Sequence, residues 1–314
     1  MSVIPENTDI RTEIKKKISG EWHSKRYYSL DAFLKNSYGC RIKKIAIDAG
    51  FTCPNRDGAL DTRGCIFCSA GGSGDFAVPP ASVTSREPYI AYFQAYTCTY
   101  GPIGYLEDLY RNALDDPLVL GISIATRPDC LPEEVLSLLE RLHAAYPEKF
   151  IWIELGLQTI HEQTALYIRR GYSLDCFRQA VHSLHSVRIP VVVHTILGLP
   201  GEDGAMMAAT IDYINHLPVW GIKLQLLHVL KGTDLALDYQ NGYFKEMTLE
   251  GYLAVLTECI ERLSPDTVIH RVTGDGPREL LLAPLWSADK KRVLNTLHHR
   301  MKIQDSYQGK LWKA

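Results

Sequence analysis

The chain has 314 residues, 46% of them hydrophobic and 22% charged, a composition that excludes an intrinsically disordered protein. It has no apolar run of the roughly 18 residues that a membrane helix requires, and residues 1–17 lack the order of a signal peptide, so we expect a cytoplasmic protein. The net charge of −2 hides two basic ends, because residues 11–44 carry an excess of seven positive charges and residues 290–314 an excess of six. These ends could contact an RNA backbone, although solvated lysine-rich helix faces would give the same pattern.

Short apolar runs rich in β-branched residues alternate with longer amphipathic stretches along the chain. The short runs predict strands at residues 43–48, 89–94, 118–124, 150–157, 190–196 and 221–228. The amphipathic stretches predict helices at residues 105–114, 132–146, 174–187 and 205–216. Six strands that are each followed by a helix form a parallel sheet, either as part of a barrel or as a doubly wound sheet. In both arrangements the functional residues lie at the carboxyl ends of the strands.

The segment after the first predicted strand, residues 49–80, is too long to be a simple connection and contains three cysteines. Cys53 is followed by Cys65 and Cys68, which form a Cys-x-x-Cys pair. In a reducing compartment, clustered cysteines more often bind metal or do chemistry than form disulfides. A structural zinc site uses four ligands, whereas an iron–sulfur cube held by three cysteines leaves one iron open. The three cysteines therefore predict a cluster with an open coordination position.

The other five cysteines are not predicted ligands. Cys40 precedes the first strand and would lie near its amino end, far from the loop that follows the strand. The remaining four are scattered without metal-binding spacing, which is typical of small buried hydrophobic residues. They are Cys98, Cys130, Cys176 and Cys259.

Several segments in this order resemble one known family. They are IDAGFTCPNRDG at 47–58, YFQAYT at 92–97, SIATRPD at 123–129, ELGLQT at 154–159, HTILGLPGE at 194–202 and TGDGPR at 273–278. The sequence resembles the radical S-adenosylmethionine (SAM) enzymes, and within them the bacterial YhcC/YtqA-like family, which is related to the radical SAM domain of the elongator catalytic subunit. The resemblance extends over residues 27–309. The eleven-residue gap between Cys53 and Cys65 departs from the commonest radical SAM spacing, but this subgroup shares it.

The resemblance implies the fold, the cofactors and the reaction. The expected fold is α/β, a partial (β/α)6 TIM-type barrel at residues 40–245. A basic N-terminal extension at 1–39 precedes it, and a helical C-terminal extension at 246–314 packs on it. The expected cofactors are SAM and one [4Fe-4S] cluster, with Cys53, Cys65 and Cys68 as its ligands and a flavodoxin or ferredoxin-type protein as electron donor. The expected reaction is reductive cleavage of SAM to a 5′-deoxyadenosyl radical. The expected substrate is tRNA, at the C5 side chain of a wobble uridine.

The resemblance also implies residues that contact SAM. Phe67, just before the last cysteine, would pack near the adenine, and Ile196 and Gly198 belong to a segment that resembles the family's adenine-contacting segment. Arg170 lies in a segment similar to the family's Asn-Arg-Gly-His and would bind the methionine carboxylate as a fork. An exposed arginine without a partner, or glycines that only form a tight turn, would fit the same residues.

Four more polar residues are candidates at the same site. Gln94 and Thr97 stand where many family members carry a Gly-Gly-Glu that binds the methionine amine, so these side chains or backbone groups must replace it. Glu154 lies in a strand that is expected to be buried, so it must meet either a cationic partner in the protein or a ligand amine. Gln158, at the end of that strand, is a candidate contact to the ribose or methionine part of SAM.

Three cationic residues follow predicted strands. Lys231, Arg271 and Arg278 could meet a phosphate-bearing substrate, or could be ordinary surface charges.

Two other functions remain open from the sequence. A radical SAM enzyme that acts on a small metabolite, or a zinc-stabilised barrel that binds RNA or protein without chemistry, would share many of these features. No acetyltransferase-like segment follows the predicted barrel, so we expect a reaction other than acetyl transfer.

Overall fold

The computed structural model describes residues 8–274 and 276–313. Residues 1–7 of the predicted basic extension and Asp275 of the 273–278 segment lie outside the described residues. The strands are β1 (Lys43–Ile47), β2 (Tyr89–Phe93), β3 (Val119–Thr126), β4 (Phe150–Gln158), β5 (Val191–Leu197), β6 (Gly221–Leu226), β7 (Val229–Leu230), β8 (Val268–Arg271) and β9 (Leu281–Ala283). The helices are α1 (Thr8–Ser19), α2 (Leu30–Tyr38), α3 (Ile103–Asp115), α4 (Glu133–Ala145), α5 (Glu162–Tyr167), α6 (Leu174–Ser186), α7 (Gly204–Asn215), α8 (Asp234–Gln240), α9 (Leu249–Arg262) and α10 (Lys290–Ile303).

Seven strands form one parallel sheet in the order β1-β2-β3-β4-β5-β6-β8. The six predicted strands are confirmed, and the seventh, β8, lies in the segment that we assigned to the C-terminal extension. The expectation that a helix follows every strand is wrong for β1. The described chain between β1 and β2 contains a short 3-10 turn at Pro80–Ser82 and no α-helix, because the cysteine loop occupies this connection.

Alternate residues of each central strand face opposite sides of the sheet, as strand geometry requires. In β4, Ile153 and Leu155 point outward into the main hydrophobic core, which lies between the sheet and the surrounding helices. Trp152 and Glu154 point to the inner side. A strand that is buried on both faces explains why the sequence of β4 reads as a nearly continuous apolar run.

The sheet is curled into a partial barrel. The Nζ atom of Lys223 on β6 lies 3.0 Å from the hydroxyl of Tyr92 on β2, although three strands separate β2 from β6. In a flat sheet these strands would be about 19 Å apart, at about 4.8 Å per strand. The contact therefore requires curvature, which confirms the predicted fold class of a partial TIM-type barrel.

Helix α2 covers the amino end of the barrel interior. Phe33 on α2 packs edge to face against Trp220, with 5.1 Å between the ring centroids, and Trp220 in turn packs on Trp152 at 5.0 Å. These aromatic side chains fill the space below Glu154 with apolar rings. The polar groups of the interior therefore lie above them, toward the carboxyl ends of the strands.

Helix α1 and the C-terminal tail also meet at the amino end of the barrel. Ile14 forms a small core with Trp22 and Tyr307, and Lys17 pairs with Asp266 in the loop that enters β8. The boundaries at residues 40 and 246 stay predictions. Within the described part of the chain, no helix is long and apolar enough to cross a membrane.

Candidate active site

A cavity with about 1400 Å³ of empty space, part of it open to solvent, lies at the carboxyl end of the sheet. Nine predicted site residues line it: Cys53, Cys65, Phe67, Cys68, Gln94, Thr97, Glu154, Gln158 and Ile196. Arg170 and Gly198 are not among the lining residues, and Gly198 instead borders a separate, shallower depression with Met247. These nine residues come from the loops that follow β1 and β2 and from strands β4 and β5, and their roles in binding stay predictions.

The cysteine loop folds back so that its first and last cysteines reach the same cavity. The Nη2 atom of Arg56 donates to the carbonyl oxygens of Cys68, at 3.0 Å, and of Ser69, at 2.7 Å. Gly64 has a φ of +75°, and a Cβ atom there would lie 2.8 Å from the Nε atom of Arg56. The loop therefore needs glycine at residue 64 both for its backbone conformation and for space beside the arginine.

A small hydrophobic core anchors the Cys-x-x-Cys turn to the barrel. Ile66, between the two cysteines, packs with Ile168, Ile196 and Val229, and Phe67 packs against the same cluster. The Ile66 N–H donates to the carbonyl oxygen of Ile168 at 3.2 Å. Burying these side chains fixes the loop without using the thiols, which leaves the sulfur atoms available.

The three thiols interact with one another and with two arginines. Burial raises the pKa of Cys65 to about 12, helped by the nearby Cys68 and Cys53, while Arg127 opposes the rise. Burial also raises the pKa of Cys68, with Arg56 acting in the opposite direction. All three cysteines are free. The three cysteine side chains are partly exposed, and thiols with a raised pKa ionise when a metal centre binds them, since the metal supplies the compensating positive charge.

Among residues 8–274 and 276–313, no three Cys, His, Asp or Glu side chains are grouped so that they could hold one metal ion. A four-ligand zinc site is therefore not formed by the described residues. A four-iron cube makes a different demand, because each thiolate binds its own iron. Cys53, Cys65 and Cys68 all line the one cavity, and their role as cluster ligands stays a prediction.

The other cysteines follow the prediction with one difference. Cys98, Cys130 and Cys259 are buried, whereas Cys176 is only partly buried. Cys40 is exposed before β1 and does not line the cavity.

Gln94 and Thr97 lie beside the segment that closes the cysteine loop. The Nε2 atom of Gln94 donates to the carbonyl oxygen of Ser73 at 2.5 Å, and the hydroxyl of Tyr96 donates to that of Ala70 at 2.6 Å. Thr97 is buried, and its N–H donates to the carbonyl oxygen of Thr52 at 3.1 Å. These residues therefore hold the two ends of the cysteine loop against β2, as well as facing the cavity.

Arg170 is held by backbone carbonyl groups and does not line the cavity. Its guanidinium is buried and donates to the carbonyl oxygens of Leu157 at 3.2 Å, Thr159 at 2.7 Å and Tyr172 at 3.0 Å. These bonds tie the end of β4 to the segment before α6. A buried arginine with three backbone acceptors differs from the exposed arginine that the sequence left open, and the carboxylate-binding role stays a prediction.

The end of β4 carries an unusual backbone at Gln158, which has a φ of +62° next to a register shift in the β4–β5 pairing. The Tyr172 hydroxyl lies 3.0 Å from the carbonyl oxygen of Gly156 and 3.1 Å from Oε1 of Gln158. A Cβ atom at Gly156 would come within 2.8 Å of that hydroxyl and 2.7 Å of the Gln158 amide nitrogen. Glycine at 156 thus lets Tyr172 fix the Gln158 side chain at the cavity wall.

Glu154 meets cationic partners inside the protein, which was one of the two predicted alternatives. Its Oε1 accepts hydrogen bonds from Lys44 and from the Ser123 hydroxyl, the latter at 2.7 Å. Its Oε2 accepts from Lys223 and lies 2.8 Å from the Nε2 atom of His194. Burial opposes ionisation, but the charges of Lys223 and Lys44 outweigh it and hold the pKa of Glu154 well below its usual range.

Sequence reasoning missed the partners of Glu154. Burial and the charge of Lys223 lower the pKa of His194 to about 4, and burial lowers the pKa of Lys223 to about 7 despite the carboxylate beside it. The available signal was a lone charge in an apolar strand. Lys223 in β6 (GIKLQL) and Glu154 in β4 (FIWIELGLQ) are complementary exceptions to otherwise buried patterns.

The predicted cations lie in different places at the mouth. Arg271 lines the cavity, and Lys231 is exposed next to the lining residue Leu230. Arg278 donates to the carbonyl oxygen of Ala288 at 3.0 Å, which ties two loops together. A further arginine, Arg127, lines the cavity and forms a fork with Asp129, at 2.9 and 2.7 Å.

The chain matches two family models, one described as the radical SAM superfamily over residues 62–214 and one as the radical SAM C-terminal domain over residues 219–303. It is 42% identical to the uncharacterized protein YtqA of Bacillus subtilis, an alignment that covers 92% of this chain and 94% of YtqA. It is 33% identical to protein YhcC of Escherichia coli, over 89% of this chain and 94% of YhcC.

Two more distant similarities are informative. The chain is 26% identical to the tRNA uridine(34) acetyltransferase of Methanocaldococcus jannaschii, over 73% of this chain and 53% of that protein. The solved structure of the archaeal Methanocaldococcus infernus Elp3 superposes with a TM-score of 0.62 at 18% identity, covering 71% of this chain and 55% of that chain. At this level of identity the structural likeness shows a shared fold.

Proposed function

The chain belongs to the radical SAM superfamily, and from this premise we propose that it is a radical SAM enzyme that modifies the C5 side chain of a wobble uridine in tRNA. Membership in the superfamily implies a [4Fe-4S] cluster and SAM as cofactors. When bound, these cofactors supply a 5′-deoxyadenosyl radical by reductive cleavage of SAM. The observation that carries the proposal is the presence of three free cysteines on the wall of one cavity at the carboxyl end of a partial barrel.

The proposed cluster ligands are Cys53, Cys65 and Cys68. Arg56 and Arg127 lie near enough to lower the pKa of Cys68 and of Cys65 respectively, against the larger effect of burial. Their positive charges would stabilise the thiolate forms that a cluster requires. The hydrogen bonds from Arg56 to the carbonyl oxygens of Cys68 and Ser69 would keep the cysteine loop closed around the cluster.

The proposed SAM contacts are Phe67, Gln94, Thr97, Gln158 and Ile196, all of which line the cavity. Phe67 and Ile196 belong to one apolar cluster, so an adenine ring would meet a continuous apolar surface there. Gly198 and Arg170 would act from behind this surface. A direct contact between Glu154 and SAM stays a prediction, since four groups of the protein already bond its oxygens.

The proposed substrate rests on relatives and on charge. One relative that matches 73% of this chain is called a tRNA uridine(34) acetyltransferase, which supports tRNA and a wobble uridine as the substrate class. Arg271 and Lys231 place positive charge at the cavity and its mouth, where RNA phosphates would lie next to an inserted base. A flavodoxin or ferredoxin-type protein is the proposed electron donor. The proposed place of action is the cytoplasm.

The decisive experiment compares modified nucleosides in tRNA by mass spectrometry. A strain that lacks the gene is complemented with the wild-type chain, with Cys68→Ala or with the matched control Cys40→Ala. We expect one wobble-uridine nucleoside to change in the deletion strain and to be restored by wild type and Cys40→Ala, but not by Cys68→Ala. An unchanged nucleoside profile would instead favour a small metabolite as substrate.

Iron analysis after anaerobic purification tests the cluster separately. The wild-type protein and Cys40→Ala should contain about four irons and absorb in the visible range, whereas Cys68→Ala should lose most of its iron. Loss of iron from Cys40→Ala would contradict the proposed ligand set.

A further inference from the structure

Two ammonium groups share one carboxylate at the floor of the cavity. We call Lys44, Tyr92, Glu154, His194 and Lys223 the floor cluster. Glu154 is 1% exposed and Lys223 is 3% exposed, so neither charge is neutralised by bulk water. Tyr92, Glu154, His194 and Lys223 line the cavity, whereas Lys44 lies behind them.

The charges of the floor cluster do not balance. His194 is neutral near pH 7, since its pKa is lowered to about 4 by burial and by the charge of Lys223. The cluster then sets two lysine side chains, both near Arg271, against the single carboxylate of Glu154, and burial lowers the pKa of Lys223 to about 7, so its ammonium form lacks a full counterion. A buried charge without a full counterion is unfavourable, so proteins seldom retain one that has no partner. The excess positive charge therefore suggests that an anion completes the cluster.

Lys223 is the member that can meet such an anion. Its ammonium group donates to Glu154 and to the Tyr92 hydroxyl, the latter at 3.0 Å, and an ammonium has three N–H donors. Lys44 differs because it donates to Glu154 and Ser123, and its Nζ atom also sits 4.1 Å from the centroid of the Tyr92 ring. The Tyr92 ring therefore provides a third interaction for the Lys44 ammonium group. Lys223, in contrast, keeps one N–H donor next to the cavity.

We propose that Lys223 forms a subsite for an anionic group, a carboxylate or a phosphate, of a molecule that reacts in this cavity. Glu154 is a positioning residue in this subsite, because it holds the ammonium groups together at the floor. The proposal deepens the proposed function and rests on it only for the identity of the reacting molecules. The anion can come from two sources, the α-carboxylate of SAM or an acidic group of the second substrate.

The first experiment measures the folding and binding of Lys223→Met. This substitution leaves one ammonium paired with one carboxylate, so we expect its melting temperature to equal or exceed that of wild type. The matched control is Lys43→Met, which removes an exposed lysine on β1 that lies outside the floor cluster. A large drop in melting temperature for Lys223→Met alone would show that the excess charge is structural and would overturn the proposal.

Isothermal titration calorimetry then tests SAM as the source of the anion. The ligands are SAM and decarboxylated S-adenosylmethionine, which lacks the carboxylate. If the SAM carboxylate binds Lys223, wild type should prefer SAM by at least about tenfold, equivalent to 1.4 kcal/mol, and Lys223→Met should lose this preference. Tyr92→Phe, which removes the hydroxyl that orients Lys223, should reduce the preference by a smaller factor.

A second arm tests the other source. Protein labelled with ¹³C at the lysine Cε atoms is titrated with inorganic phosphate and with acetate in the presence of saturating SAM. If SAM does not use the subsite, the Lys223 resonance, assigned by its loss in Lys223→Met, should shift to saturation while that of Lys43 stays unchanged. A Lys223 that responds neither to the SAM carboxylate nor to these anions would refute the proposal.

These readouts separate the two proposals. Iron content and nucleoside analysis test the proposed function and do not depend on Lys223. Anion binding at Lys223 in a protein that takes up no iron would leave the subsite standing and reject the proposed chemistry.

Discussion

Glu154 and Lys223, which line the cavity, are each the only charged residue of a mostly apolar strand. Glu154 is the one acid in β4, and the sequence alone requires that it be paired if it is buried. Its partners lie 110 positions away, for Lys44, and 69 positions away, for Lys223. Those partners cannot be predicted from local pattern, because they meet only when the sheet curls.

The buried histidine of the floor cluster predicts how stability depends on pH. His194 has a folded-state pKa of about 4, below the 6.5 of an unperturbed histidine. Between these values the unfolded chain binds a proton that the folded protein does not. The free energy of unfolding should therefore rise as pH increases from about 4 to 6.5, by up to about 1.4 kcal/mol per pH unit. His270, whose pKa is also lowered by burial, acts in the same direction.

Thermal unfolding between pH 4.5 and 7 checks this prediction. His194→Gln should give a flatter dependence of melting temperature on pH than wild type does. His182→Gln, at an exposed position on α6, is the matched control and should keep the wild-type slope. Equal slopes in all three proteins would show that His194 is not held neutral.

At the scale of elements, the end of β4 links packing to the site. Gly156, Gln158 and Tyr172 form one contact set, in which the tyrosine hydroxyl reaches both the strand backbone and the glutamine side chain. Gly156→Ala should displace Tyr172 or Gln158, at a cost of about 1–3 kcal/mol typical of overpacking. We expect a lower melting temperature and weaker SAM binding by calorimetry.

Gly104→Ala provides the control for this substitution. Gly104 lies in α3, and a Cβ atom there would meet no atom within 4 Å. Alanine favours helix over glycine, so this variant should be slightly more stable, by about 0.5–1 kcal/mol, with unchanged SAM affinity. If Gly156→Ala behaved like Gly104→Ala, the close contact with Tyr172 would not restrict the site.

The elements themselves were largely predictable, and the exceptions have physical reasons. Strands β2 to β6 are mostly buried and apolar, so their short apolar runs identified them in the sequence. The short β8 was separated from the sheet in our prediction because a long segment and α9 precede it. The alternation of strands and helices was extended to β1 although residues 49–80 show no helical periodicity, and the cysteine loop occupies that connection instead. The burial of Arg170 could not be predicted from the sequence. It depends on three carbonyl oxygens, two near the end of β4 and one from Tyr172, that come together only in the folded chain.

The two ends of the barrel differ in the residues that they carry. The carboxyl end of the barrel holds the cavity, the cysteines and the exposed Lys231. The amino end holds α1, whose Lys15 and Lys16 are exposed and whose Lys17 pairs with Asp266. Since β4 has nine residues, the two ends lie about 30 Å apart, at about 3.3 Å per residue. The described part of the basic N-terminal extension, residues 8–39, therefore does not border the cavity, which counting charges in the sequence could not reveal.

This separation predicts which lysines matter for RNA. A base inserted into the cavity brings its neighbouring phosphates to the mouth, so Lys231→Glu should weaken tRNA binding several-fold. The slope of log affinity against log salt should fall by roughly 0.7–0.9 for the lost phosphate contact. The double variant Lys15→Glu/Lys16→Glu should have a smaller effect, despite changing more charge. Filter binding of total tRNA at several salt concentrations measures both quantities. A larger loss in the α1 variant than in Lys231→Glu would mean that tRNA binds chiefly through the amino end of the barrel.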